Sequence, residues 1–149
     1  MNAPAGQPST TIRVERTFRA RAQDVFDAWT SVEALRRWWH AEHDSETPHA
    51  ELDLRVGGAI RITMRDPELG QDHGGVGQFT EIDPPRQLAF TWTWDDDPSA
   101  RQPIEVDFTD HAESTTVVLT NSGVPAQAKD DHVFGWQNSL ENLEAALVS

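Results

Sequence analysis

The 149-residue chain has no cysteine and no tyrosine, and Lys129 is its only lysine. Without cysteine there is no disulfide, no thiolate nucleophile and no cysteine-based zinc or iron–sulfur site, and a cytoplasmic location is expected. Without tyrosine, phenol-based side-chain chemistry is missing as well. Long hydrophobic runs are also absent, and none approaches the roughly 18 apolar residues of a membrane span. Residues 1–11 have neither a basic stretch nor an apolar stretch, so no signal peptide is expected there. They read as a short tail over residues 1–10, followed by a single domain over 11–149. Basic charge is scarce: 12 Lys and Arg stand against 25 Asp and Glu, for a formal charge of −13. Such a surface repels nucleic acid and anionic membrane.

What is present is periodic. Residues 11–18 alternate, with Ile12, Val14 and Phe18 on one parity, as in a half-buried strand in which Arg16 breaks the apolar side. Ala22, Val25, Phe26 and Trp29 follow helical spacing. Thr30 and Glu33 have capping-box spacing, which predicts a second short helix carrying Leu35, Trp38 and Trp39. Residues 40–49 read as a polar loop. Strand signals then recur over residues 50–54, 59–64, 76–82, 88–94, 104–108 and 115–120. They are punctuated by Gly57-Gly58, a Gly-rich connection over 66–75, Asp83-Pro84-Pro85, an acidic turn over 95–103, and residues 110–113. The gaps are too short for parallel crossovers, so antiparallel pairing is expected. Beyond Pro125 the period turns helical. Val133, Trp136, Leu140, Leu143 and Leu147 make one apolar stripe, and Asp130 and Asp131 sit early in the helix, where its dipole favours them.

This order predicts an α+β fold: a long C-terminal helix packed on a curved antiparallel sheet, with two short helices after the first strand. A twisted sheet wraps such a helix closely at some points and loosely at others. Large rings on the inner faces either fill the gap or line a ligand site. Candidate lining residues are Trp38, Trp39, Ile62, Met64, Trp92, Trp94, Phe108, Trp136 and Leu140. Trp38 and Trp39 are adjacent on a helix, so one is expected inward and the other at a mouth or a partner surface. Gln78, on the parity of Val76, Thr80 and Ile82, and His132, one residue before the stripe, are the polar candidates. Arg16, which breaks the parity of its strand, and Arg61, among apolar neighbours, are further polar candidates.

The assembled pattern resembles the START-like, Bet v 1-like (SRPBCC) superfamily, and more narrowly the family of the activator of Hsp90 ATPase C-terminal domain. The resemblance rests on the first-helix run at residues 20–29, on Leu35-Arg36-Arg37-Trp38-Trp39, and on the Gly57-Gly58 turn. It extends to residues 77–92 with their Asp83-Pro84-Pro85 turn, and to Gly135-Trp136-Gln137-Asn138-Ser139-Leu140 in the long helix. Ala22 stands where that family usually has proline. The resemblance implies a helix-grip fold whose cavity takes a small apolar or amphipathic molecule. It also implies two alternatives: a polyketide cyclase or isomerase-like enzyme, or a protein-interaction module that engages a chaperone, as the eukaryotic namesake engages Hsp90. That namesake has an additional N-terminal domain for which this chain has no room.

No cofactor and no metal are expected. His40, His43, His49, His73 and His111 fall in predicted loops or turns, and the closely spaced His40 and His43, with Glu42, Asp44 and Glu46 nearby, lack the convergent ligand set of a zinc site. Gly74-Gly75-Val76-Gly77 lacks the helix and lysine of a phosphate loop. Ser139 has no readable base-and-orienter set. An unpaired sheet edge or an exposed Trp39 would support a homodimer.

Overall fold

The computed structural model describes residues 8–41, 43 and 45–148. The predicted tail therefore lies largely outside the described residues, as do Glu42 and Asp44. The chain forms β1 (Ser9–Phe18), α1 (Ala22–Trp29), α2 (Val32–Trp38), β2 (Glu46–Leu52), β3 (Ala59–Arg65), β4 (Asp72–Asp83), β5 (Gln87–Trp94), β6 (Arg101–Asp110) and β7 (Thr115–Pro125). A 3₁₀ turn over Ala126–Ala128 then leads into α3 (Lys129–Val148). The seven strands make one antiparallel sheet in the order β1-β7-β6-β5-β4-β3-β2. With a long C-terminal helix and two short helices after β1, this is the α+β helix-grip architecture.

Local chemistry places the short helices. The amphipathic face of α1 buries Ala22, Val25, Phe26, Ala28 and Trp29. Thr30 ends that helix, its hydroxyl donating to the Phe26 carbonyl at 3.1 Å. It is therefore not available as the cap predicted for α2. Ser31 takes that place, accepting from the Ala34 amide at 3.3 Å. Arg36 and Arg37 occupy the last turn of α2, where positive charge suits the dipole.

Several strands are longer than their alternation suggested. The stretch 46–49, read as loop, is the start of β2, and the turn-like stretches at 72–75 and 101–103 belong to β4 and β6. His49 and His73 consequently lie on strands. Backbone pairing with a neighbour decides these residues, and side-chain periodicity carries little of that information. Ser9 and Thr10 likewise join β1 instead of the tail.

Inward parity on β4 runs through Gly75, Gly77 and Phe79, so Gln78 is exposed on the outer face, contrary to its expected interior position. Irregular register between Phe79 and Glu81, between Thr10 and Ile12, and between Glu46 and His49 marks bulges that bend the sheet. Arg61 faces outward near Asp95, at 3.6 Å.

The helix α3 lies across the concave face. Its stripe buries Trp136, Leu140 and Leu143, while Val133 and Leu147 are half-buried. Each fully covered side chain contributes about 1.5–3 kcal/mol of hydrophobic stabilisation. Arg16 interrupts the apolar parity of β1 because its guanidinium pairs with Glu144 on α3, Nε lying 3.0 Å from the carboxylate. Both side chains keep over a third of their surface exposed, so this pair orients the helix and adds about 0–1 kcal/mol.

Gly75 is required for a steric reason. A Cβ there would lie 2.7 Å from Trp92 Cζ2 and 2.5 Å from the Thr93 carbonyl oxygen. The bare backbone lets the Trp92 indole come close against β4. Gly75→Ala is expected to cost about 1–3 kcal/mol in urea unfolding. A loss below about 0.5 kcal/mol would mean that the indole moves aside freely.

Candidate functional site

Six large rings dominate the space under α3. Trp29 packs against Trp38 (centroids 4.6 Å), Trp39 (6.0 Å), Trp136 (6.1 Å) and Phe108 (6.4 Å). Trp39 in turn touches Trp92 at 5.4 Å and Trp136 at 5.3 Å. These edge, tilted and stacked contacts fill the groove near the middle of the helix. Toward its N-terminal end the packing thins to Trp94, which meets Trp92 at 5.4 Å and the His132 ring at 6.4 Å. There a cavity of about 210 Å³ remains between α3 and strands β3, β5, β6 and β7.

Six of the sequence candidates line this cavity: Trp39, Met64, Trp92, Trp94, His132 and Trp136. The others lie elsewhere. Trp38 is buried beside α1, its Nε1 donating to the Ala28 carbonyl at 2.9 Å. Phe108 packs on Phe26 at 5.3 Å. Ile62 and Leu140 are fully buried core outside the lining, and Gln78 is on the far face of the sheet. Trp39 is 4% exposed, so it offers no outer surface to a second copy. As the non-helical residue that ends α2, it turns inward onto Trp92 and Trp136.

The sequence reading missed Gln102, Asn121, Asp131, Gly135, Ser139, Ala41 and Ile104 as lining residues. Gln102 shares the parity of Ile104, Val106 and Phe108, and Asn121 that of Val117 and Leu119. Extending either alternation by one step finds them. His132, Gly135 and Ser139 fall along a helix row beside the apolar stripe, so the cavity faces the flank of α3 and not the centre of its apolar face.

A chain of hydrogen bonds joins the helix to the sheet here. Trp136 Nε1 donates to Asn121 Oδ1 at 3.1 Å. Asn121 Nδ2 donates to Gln102 Oε1 and to the Ser122 carbonyl, each at 3.1 Å. Ser139 Oγ donates to the His40 carbonyl at 2.8 Å, which commits its proton to holding α3 against the turn after α2. Asn142 Nδ2 adds a second bond to that carbonyl at 3.2 Å, and Asn138 Nδ2 reaches the Ala41 carbonyl at 2.9 Å.

Two polar atoms of the lining are buried without a protein partner among the described residues: Trp92 Nε1 and His132 Nε2. Trp29 Nε1 shares that condition within the ring cluster. His132 Nδ1 lies 3.0 Å from the Ala128 carbonyl, which can only accept, so Nδ1 carries the proton.

A second depression, of about 500 Å³, lies between α2 and the start of β2 and includes Glu33, Arg36, Arg37 and His40. It is polar, and its charged side chains are mostly solvated. No group of three or more metal-type ligands occurs among the described residues, and no helix there is long and apolar enough to cross a membrane.

The architecture and its cavity define a helix-grip protein of the SRPBCC type. Residues 19–148 match the family described as Activator of Hsp90 ATPase homolog 1-like protein, and the chain belongs to that family. A Chromobacterium violaceum protein of solved structure is 26% identical, with a TM-score of 0.83 over 91% of this chain and 96% of that one. The AHSA1-like protein from Aeromonas hydrophila is 25% identical, with a TM-score of 0.74 over 93% and 92%. CalU16 from Micromonospora echinospora shares the fold at 21% identity, with a TM-score of 0.72 over 97% and 80%. No curated protein matches the chain.

His40 ties these elements together and carries a pH dependence. Burial, and secondarily the charge of His43, lowers its pKa from the ordinary 6.5. Its Nδ1 donates to Thr47 Oγ1 at 3.0 Å, because that hydroxyl already donates to the Trp39 carbonyl at 2.6 Å. As pH falls below the ordinary value, the unfolded chain binds this proton first. Stability therefore drops, and the loss levels off below the folded-state value. His40→Asn keeps a donor for Thr47 and is expected to flatten this part of the stability curve, measured by urea unfolding from about pH 7.5 to 5. Parallel curves for the two proteins would refute the assignment.

Proposed function

We propose that this chain binds a small organic molecule in the cavity beside the N-terminal half of α3. The observation that carries the reading is a ring-walled space whose buried Trp92 Nε1 and His132 Nε2 have no protein partner among the described residues. An unpaired buried donor or acceptor costs about 1–3 kcal/mol, which a bound molecule can recover. Four tryptophan rings supply the apolar walls and a few convergent polar groups supply orientation, the usual composition of a small-molecule site. The family membership supports the same reading, because the helix-grip fold places such a space under its long helix.

Binding is favoured over serine-nucleophile catalysis by the hydrogen bonds around His132 and Ser139. A main-chain carbonyl orients the ring, and the Ser139 proton is committed to the His40 carbonyl. That arrangement serves recognition without further partners. Native mass spectrometry of the protein purified from its own host is expected to reveal a retained small molecule. Ala41→Phe puts a ring into the cavity from a half-buried lining position and should release it while leaving urea unfolding within about 1 kcal/mol. Retention of the same mass by that variant would place the molecule elsewhere.

A further inference from the structure

We infer that the cavity selects a neutral, single-ring aromatic compound bearing a carbonyl-type acceptor and a separate hydroxyl or N–H donor. This deepens the binding reading above and rests on it. Size is the first argument. A cavity of roughly 150 Å³ accommodates benzene, so about 210 Å³ holds one ring with a few substituent atoms. Trp39, Trp92, Trp94 and Trp136 present aromatic walls, which favour a flat aromatic occupant.

The polarity of the lining follows from the hydrogen-bond chain. An indole N–H only donates, so the atom of Asn121 that faces Trp136 is its carbonyl oxygen. Asn121 must then offer its NH₂ to Gln102, and Gln102 must receive it on Oε1. The remaining Gln102 group is therefore its NH₂, on a side chain only 2% exposed that lines the cavity and makes no other bond among the described residues. Trp92 Nε1–H, on an equally buried residue, is a second unpaired donor. His132 supplies the opposite polarity: with the proton on Nδ1, the neutral ring has an acceptor at Nε2. The lining thus holds a buried unpaired donor on Trp92, a second donor on Gln102, and one buried acceptor on His132.

Charge completes the selection. No Lys or Arg lines the cavity, Asp131 does, and the whole chain carries −13. A carboxylate would enter without a counter-charge, at a desolvation cost that only pairing offsets. A neutral carbonyl answers the donors, and a hydroxyl or N–H answers His132.

The test is calorimetric titration of the full chain at about pH 7, above the ordinary imidazole value and low enough to keep the probe phenols protonated. The probes are the three hydroxyacetophenone isomers, acetophenone, ethylbenzene and 4-hydroxybenzoate. At least one hydroxyacetophenone is expected to bind about tenfold more tightly than acetophenone, and acetophenone more tightly than ethylbenzene. Hydroxybenzoate should bind weakest among the hydroxylated probes. Trp92→Phe should narrow the gap between acetophenone and ethylbenzene, and His132→Leu the gap between hydroxyacetophenone and acetophenone. The ranking on the unaltered chain stands even if a variant does not fold. Equal binding of all neutral probes, or tightest binding of the carboxylate, would overturn the polar selection while leaving cavity binding intact. If no probe binds, ethylbenzene included, the binding reading itself fails.

Discussion

The packing of Trp39 among Trp29, Trp92 and Trp136 is the contact on which the rest depends. One ring touches α1, β5 and α3 at once, so the position of the long helix, the seat of the short helices and the boundary of the cavity are set together. These rings close the groove in the middle and border a pocket toward the start of the helix. Close packing of this kind leaves little freedom to redistribute volume.

The polar contacts that fasten α3 also shape what the pocket can recognise. Trp136 and Asn121 bind helix to sheet, and the one-way character of an indole N–H sets the direction of every amide beyond it. Structure and recognition therefore share the same atoms. Ser139, itself a lining residue, and Asn142, a turn further on, clasp the main chain after α2. The Arg16–Glu144 pair lies outside this arrangement, in contact with solvent, and adds orientation more than energy.

Much of the site was legible residue by residue. Alternation exposed Trp92 and Trp94, and proximity to the apolar stripe singled out Trp136 and His132. Gln78 shows where that logic fails. On β4 two of the inward positions are glycine and the register breaks after Phe79, so the parity of Val76 and Ile82 points to the wrong face and places the outward Gln78 inside. Gln102 and Asn121 escaped because each lies just past an apparent strand end, where pairing with a neighbour extends the strand further than hydrophobicity does.

The sequence by itself determined the order and type of the elements, the antiparallel pairing imposed by short connections, and the apolar stripe that α3 buries. Those properties follow from local periodicity and from chain lengths that permit few alternatives. Only the tertiary structure decided which rings fill space and which border it, because that depends on where separate elements meet. It also decided which way the buried amides point, since a donor acquires its direction from a partner far along the chain.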